Sequence, residues 1–77
     1  MREVTGIGNV YMNAAFGIRW FEVRIEFSDG KTRSFNLPLK MLKRMGTGIT
    51  TLNHTKKLRT WIMSDEGRRY FEEQVNP

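Results

Sequence analysis

Residues Ile18 to Leu37, IRWFEVRIEFSDGKTRSFNL, carry the clearest structural pattern in the chain. From Phe21 to Phe27 every second residue is apolar, and charged residues stand between them. Side chains alternate between the two faces of a β-strand, so this period of two predicts a half-buried strand. The dipeptide Asp29-Gly30 is typical of a hairpin turn, and a second strand should follow it. The stretch therefore predicts an antiparallel hairpin.

The register of this hairpin follows from the faces of its two strands. A two-residue loop would place Phe35 opposite Arg24, on the polar face. A three-residue loop (28–30) with Gly30 in the left-handed conformation instead pairs apolar residues with one another on the core side. We therefore expect the pairs Phe21–Leu37, Val23–Phe35, Arg24–Ser34, Glu26–Thr32 and Phe27–Lys31.

The segments on either side of the hairpin predict a further strand before it and a short helix after it. EVTGIGNVYM (residues 3–12) predicts an earlier strand, in which Gly6 and Gly8 indicate a bulge or an irregular start. NAAFG (residues 13–17) is predicted to be the loop that follows it. NLPLKMLKRMG (residues 36–46) predicts a short helix with Asn36 as N-cap, Pro38 in the first turn and Gly46 as the stop.

The remaining segments predict more helix. TGITTLNH (residues 47–54) is compatible with a loop or a fourth short strand. TKKLRTWIM is predicted to be helical, with Leu58, Trp61 and Ile62 forming an apolar stripe on one face. SDEGRRYFEEQV is also predicted to be helical, but its apolar residues do not continue that stripe. The phase breaks near Ser64, which can cap a new helix. We expect two helices here, or one helix that is sharply kinked.

The predicted fold class is α+β: a three-stranded antiparallel β-meander followed by two or three short helices packed on one face. The 77 residues form one domain, with the sheet in residues 1–37 and the helical half in residues 38–77. The chain contains no cysteine and one histidine, so disulfides, thiolate zinc sites and other metal sites are not expected. Stability must come from the apolar core, with dimer formation as a possible aid.

Catalysis is not expected from these residues, and no cofactor is implied. His54 is the single histidine and has no evident orienting partner, so a surface or capping role is the simpler interpretation. The glycine pairs GIG and GTG lack the rest of a nucleotide-binding loop. The GTG turn between two helical segments faintly resembles a helix-hairpin-helix DNA-binding element; the alternative is a helix C-cap followed by a turn.

The distribution of charge is the strongest functional signal. The net charge is +5, yet residues 30–64 contain eight lysine and arginine residues and no acid, so the rest of the chain is net negative. Such a block attracts polyanions, although it is also compatible with a solvated face that only keeps the protein soluble. The candidate nucleic-acid-binding residues are these eight, together with Arg24 and with Trp20 as a possible base-stacking residue. The eight are Lys31, Arg33, Lys40, Lys43, Arg44, Lys56, Lys57 and Arg59.

One resemblance supports this interpretation. RWFEVRIEFSDGKTRSFN (residues 19–36) resembles the second and third strands of small three-stranded DNA-binding domains, namely AP2-type domains and the arm-binding N-terminal domains of phage integrases. Those domains lay the sheet in the major groove and usually end in one longer helix, whereas here a short helix that starts with a proline and two further segments follow. The residues implied by the resemblance are Arg19, Trp20, Arg24, Lys31 and Arg33.

The sequence thus predicts a small, basic, non-catalytic protein that binds nucleic acid, DNA rather than RNA, through phosphate contacts. The alternative is a small accessory or phage-type regulatory protein that binds an acidic protein partner. A membrane-surface role for TKKLRTWIM is weaker because the segment is short. The N-terminus has no secretory signal and no apolar run approaches the ~20 residues needed to cross a bilayer, so a cytoplasmic location is expected.

Overall fold

The computed structural model describes residues 1–76, so the predicted helical half is seen except for Pro77. Three strands are followed by three helices, as predicted for an α+β fold. The strands are β1 (Val4–Ala15), β2 (Ile18–Phe27) and β3 (Thr32–Pro38); the helices are α1 (Leu39–Arg44), α2 (His54–Met63) and α3 (Asp65–Val75).

The sheet is antiparallel in the order β1-β2-β3, and the predicted register of β2 and β3 is confirmed. Val23 pairs with Phe35 and Phe21 pairs with Leu37, so the apolar residues of both strands share one face. The amide of Phe27 donates to the carbonyl of Lys31 at 3.0 Å and closes the three-residue loop. Gly30 has a φ of +81°, the left-handed conformation that this loop requires.

The loop predicted at NAAFG is wrong, because β1 continues through it. Ala14 pairs with Arg19 and Ala15 pairs with Ile18, which leaves only Phe16 and Gly17 in the turn. Both turn residues have positive φ, +52° for Phe16 and +77° for Gly17, as a two-residue type I′ turn requires. Phenylalanine seldom adopts this conformation, so the sequence did not indicate so tight a turn. The expected bulges do occur in β1, between residues 4 and 6 and between residues 7 and 10.

The predicted start of α1 is also wrong. Asn36 pairs with Glu22 inside β3, and the helix begins only after Pro38. The predicted end is confirmed, since the amide of Gly46 donates to the carbonyl of Lys43 at 3.1 Å and the chain then leaves the helix. Residues 45–53 form a loop that contains no strand, and it contributes Ile49, 1% exposed, to the core.

The break predicted at Ser64 separates α2 from α3. The Ser64 hydroxyl accepts a hydrogen bond from the amide of Gly67 at 3.2 Å, which caps α3. All three helices pack on the face of the sheet that carries Phe21 and Val23, and Phe71 of α3 meets Phe35 of β3 at a ring distance of 5.0 Å. The opposite face of the sheet is left open.

Candidate nucleic-acid interface

Most of the predicted basic residues fall at two ends of the sheet, whereas Arg24 and Arg59 lie near its middle. The first, the turn end, carries the β1–β2 turn and the start of α1, because Pro38 pairs with Trp20. The second, the loop end, carries the β2–β3 loop and the start of β1, because Val4 pairs with Phe27. The ten-residue strand β2 joins them and spans about 30 Å. The predicted residues therefore do not form one continuous surface.

A groove at the turn end brings three cations together. Arg19 comes from β2, and Lys40 and Lys43 come from α1, where they occupy the exposed side of the helix. Ile18, Pro38 and Leu39 supply apolar parts of the lining, and the cavity measures about 540 Å³. We call this site the cationic groove. Its lining contains no acidic residue.

Helix α2 adds a second basic group on the helical side of the sheet. Lys56 and Lys57 line a shallow depression with Asn53 and Thr60, and the Lys57 side chain packs over Gly48 in the loop that follows α1. The start of α2 lies towards the turn end, since the ring of His54 stacks on Phe21 at 5.0 Å. We call Lys56 and Lys57 the α2 lysines.

Two predicted residues lie beside these groups. Arg44 is exposed at the end of α1. Arg59 reaches across to the sheet, where its guanidinium donates to the carbonyl of Gly8 at 3.0 Å, in the bulged part of β1. Arg59 therefore already has a structural contact, which leaves its remaining N–H groups at the edge of β1.

The cations of α1 and α2 are not neutralised by carboxylates. Within residues 1–76 the ion pairs closer than 4.0 Å are Arg2–Asp29, Arg33–Asp29 and Arg68–Asp65. None of these pairs involves the cationic groove or the α2 lysines. Their charge therefore faces solvent and is available to an external anion.

The sequence predicts Lys31 and Arg33 at the tip of the β2–β3 hairpin, and the structure places both there, at the loop end. Arg33 turns toward the helical side of the sheet, lies over the ring of Phe27 at 5.2 Å and pairs with the carboxylate of Asp29 at 3.2 Å. Its charge is already paired with a carboxylate of the fold. Lys31 is exposed but stands at the same remote end. Neither residue extends the cationic groove.

Asp29 organises the loop end and should be visible in the pH dependence of stability. The amide of Lys31 donates to its carboxylate at 2.9 Å, and this bond, with help from Arg33 and Arg2, holds its pKa below the usual 3.8. A lowered pKa stabilises the fold above the usual value, and the stabilisation is lost as the pH falls through the lowered pKa. We expect Asp29→Asn to melt at a lower temperature than the wild type at pH 7, with the difference shrinking below pH ~4. Thermal melts from pH 7 to pH 2 test this, and a constant difference would contradict it.

The open face of the sheet is a poorer site for phosphate. Arg24 lies there between Glu22 and Glu26 of the same strand, so β2 presents more negative than positive charge on this face. Trp20 is half-buried on the same face, next to the exposed Tyr11, and the C-terminal helix does not cover it because α3 packs on the other side. The five residues implied by the resemblance are thus divided among the open face, the groove and the loop end.

His54 has a structural role. Its ring stacks on Phe21, and Nδ1 lies 3.0 Å from the carbonyl oxygen of Thr51. In the part of the chain that the structure describes, no three histidine, aspartate or glutamate side chains come together as a metal site would require. The single histidine therefore helps to fix the start of α2 on the sheet.

Two residues at the turn end are not indicated by the acid-free block of residues 30–64. Arg19 is implied only by the resemblance, because it precedes the acid-free block. Phe16 falls in a predicted loop, and its position at the tip of a tight turn follows only from the extension of β1 to Ala15. The signal that could have indicated the turn is Gly17, flanked by two segments of similar length that can pair.

Comparison with protein-family models, with curated proteins and with solved structures found no match. Within residues 1–76, no helix is long and apolar enough to span a membrane.

Proposed function

We propose that this protein is a small, non-catalytic nucleic-acid-binding protein that contacts the phosphates of duplex DNA, in preference to structured RNA, through the cationic groove and the α2 lysines. The observation that carries the proposal is the set of cations without acidic partners at the turn end. Each lysine or arginine that neutralises a phosphate releases condensed counterions, which favours binding at low salt.

The distribution of the acidic residues supports binding through the turn end. Several of them gather at the loop end, where Glu72 accepts a hydrogen bond from the amide of Val4 and Asp29 holds Arg2 and Arg33. Glu3 is next to Val4 at the same end. The turn end therefore carries cations without acidic partners while the loop end pairs several of its charges, and a polyanion would approach with the turn end foremost.

The number of contacts predicts the salt dependence. Five cations on phosphates give a slope of log K against log[salt] of about −4.5 for B-DNA, so affinity should fall ~500-fold between 50 and 200 mM salt. The five are Arg19, Lys40, Lys43, Lys56 and Lys57. Fluorescence anisotropy with a labelled 20-base-pair duplex measures the slope. A slope near zero would overturn the proposal.

A matched pair of charge reversals locates the contact. Lys43→Glu lies in the cationic groove and should lower the affinity for the duplex by roughly tenfold at 100 mM salt, since it removes one phosphate contact and adds a repulsion. Lys31→Glu changes the net charge equally but lies at the loop end, and it should change the affinity less than threefold. Equal losses in the two variants would show that binding follows net charge and not this site.

The alternative partner is an acidic protein. The apolar lining of the cationic groove, with Ile18 60% exposed, favours it, because protein interfaces combine apolar contacts with complementary charge. Capture from a nuclease-treated lysate separates the two candidates. A retained protein that is lost with Lys43→Glu supports the acidic partner, whereas loss of all bound material after nuclease supports nucleic acid.

A further inference from the structure

The tip of the β1–β2 hairpin exposes an apolar side chain that is not packed against the rest of the fold. Phe16 is fully exposed, at 102% of its reference area, and Ile18 beside it is 60% exposed. Ile18 and Arg19 pair only with β1, since the last β2 residue opposite β3 is Trp20. The tip therefore overhangs the three-stranded part of the sheet by two residues, roughly 7 Å at about 3.3 Å per residue.

Phenylalanine is a poor choice for this position on grounds of stability. Its φ of +52° is a conformation that bulky residues rarely adopt, and the first position of a type I′ turn favours asparagine, aspartate or glycine. Burial of the ring does not offset this unfavourable backbone conformation, because the Phe16 side chain is exposed. The residue thus destabilises the turn and contributes no packing in return, which is the pattern expected of a side chain kept for contact with a partner.

The neighbours of Phe16 fit one kind of partner. Ala14, Ala15 and Gly17 are small, so the tip is narrow and the ring of Phe16 projects from it. Arg19, Lys40 and Lys43 line the groove that begins at Gly17. An apolar wedge beside a group of cations suits a stacked, polyanionic duplex, in which the cations contact phosphates and the ring enters between base pairs.

We propose that Phe16 is a wedge that inserts between two base pairs of duplex DNA from the minor groove and bends the duplex. This inference rests on the proposed function and adds the mode of binding to it. Apolar wedges of this kind unstack one base step and kink the duplex by about 20–90°. The cations of the cationic groove hold the flanking phosphates while the ring is inserted.

The first test concerns stability. Phe16→Asn introduces the residue preferred in this turn, so the variant should melt at a higher temperature than the wild type, by about 4–8 °C. Phe16→Ala keeps the requirement for positive φ and should melt near the wild type. A fall in the melting temperature of Phe16→Asn would show that the ring supports the fold, and it would overturn the inference.

The second test concerns binding of the full chain to a 20-base-pair duplex labelled at both ends. Phe16→Asn should lower the affinity about 5- to 150-fold, which corresponds to the loss of one base–aromatic stacking contact. It should leave the salt slope unchanged, because no charge is removed. It should also abolish the rise in end-to-end energy transfer that reports bending. Phe16→Trp should restore the affinity and the bend, and Leu52→Asn, which changes an equally exposed residue in the 45–53 loop, should behave as the wild type.

The outcomes separate this inference from the proposed function. If the wild type binds the duplex with a steep salt slope but Phe16→Asn binds and bends it equally well, the wedge is wrong and the phosphate contacts stand. If the wild type does not bind the duplex at 50 mM salt, both fail. If Phe16→Asn loses binding to anionic vesicles and not to the duplex, the tip inserts into a membrane surface and the DNA wedge is wrong.

Discussion

Replacing Gly67 with alanine should lower the free energy of unfolding by about 3 kcal/mol, at the upper end of the range for overpacked sites. Gly67 is buried in the first turn of α3, directly against the end of α2. A Cβ at this position would lie 2.7 Å from the carbonyl carbon of Trp61 and 2.8 Å from the Cα of Ile62, and closer still to the Trp61 carbonyl oxygen. These are backbone atoms, which cannot move aside as a flexible side chain can.

The expected sign is opposite to that of helix propensity, which favours alanine over glycine by about 1 kcal/mol inside a helix. For a domain of this length the total stability is roughly 4–12 kcal/mol. The melting temperature of Gly67→Ala should fall by about 12–24 °C. Gln74→Ala, an exposed change in the same helix, is the control and should alter it little. Thermal and urea unfolding followed by circular dichroism measure both. A Gly67→Ala variant as stable as the wild type would show that α2 and α3 can separate freely.

Replacing Phe71 with alanine should destabilise the protein by about 3–5 kcal/mol. The ring is fully buried and joins α3 to the rest of the core. It meets Phe35 of β3 at 5.0 Å, Tyr70 at 5.1 Å and Trp61 of α2 at 6.1 Å between centroids. Its removal leaves a cavity between the sheet and two helices, and a chain of this size has few other core residues to close it.

The same chemical change at Phe16 is the matched control for Phe71. Phe16→Ala removes an exposed ring and should change the free energy of unfolding by less than about 0.5 kcal/mol. Urea unfolding at 25 °C compares the two variants directly. Equal losses would contradict the placement of Phe71 in the core. Phe71→Leu should recover part of the loss, because it refills part of the cavity.

Much of the fold can be predicted from local sequence patterns that are compatible with one arrangement only. The alternation from Phe21 to Phe27, with Gly30 in the following loop, permits one register in which both strands bury their apolar residues, and that register is observed. The break at Ser64 was also predictable, because the apolar stripe of α2 changes phase there and a serine followed by acids is a typical helix start. In each of these places, short-range geometry and the need to bury apolar area agree.

The predictions are wrong where strand pairing outweighs the local conformational preference of a residue. Asn36 is a good helix cap, yet its position opposite Glu22 extends β3, and Pro38 can end an edge strand as readily as it can begin a helix. Phe16 has no preference for a turn, yet the pairing of Ala14 with Arg19 and Ala15 with Ile18 forces it into one. Hydrogen bonds along a ladder outweigh the preference of a single residue.

The three-stranded sheet, the break between the last two helices and the excess of positive charge in residues 30–64 can all be predicted from the sequence, because each depends on spacing along the chain. Which of those charges act together depends on how the elements pack in space. The tertiary structure places Arg33 against Asp29 at one end and brings Arg19 to Lys40 and Lys43 at the other. Electrostatic interaction depends on distance in space, and Arg33, opposite Ile25, lies five residues along the strand from Pro38, opposite Trp20. At about 3.3 Å per residue this separates by roughly 17 Å charges that the sequence places in one block.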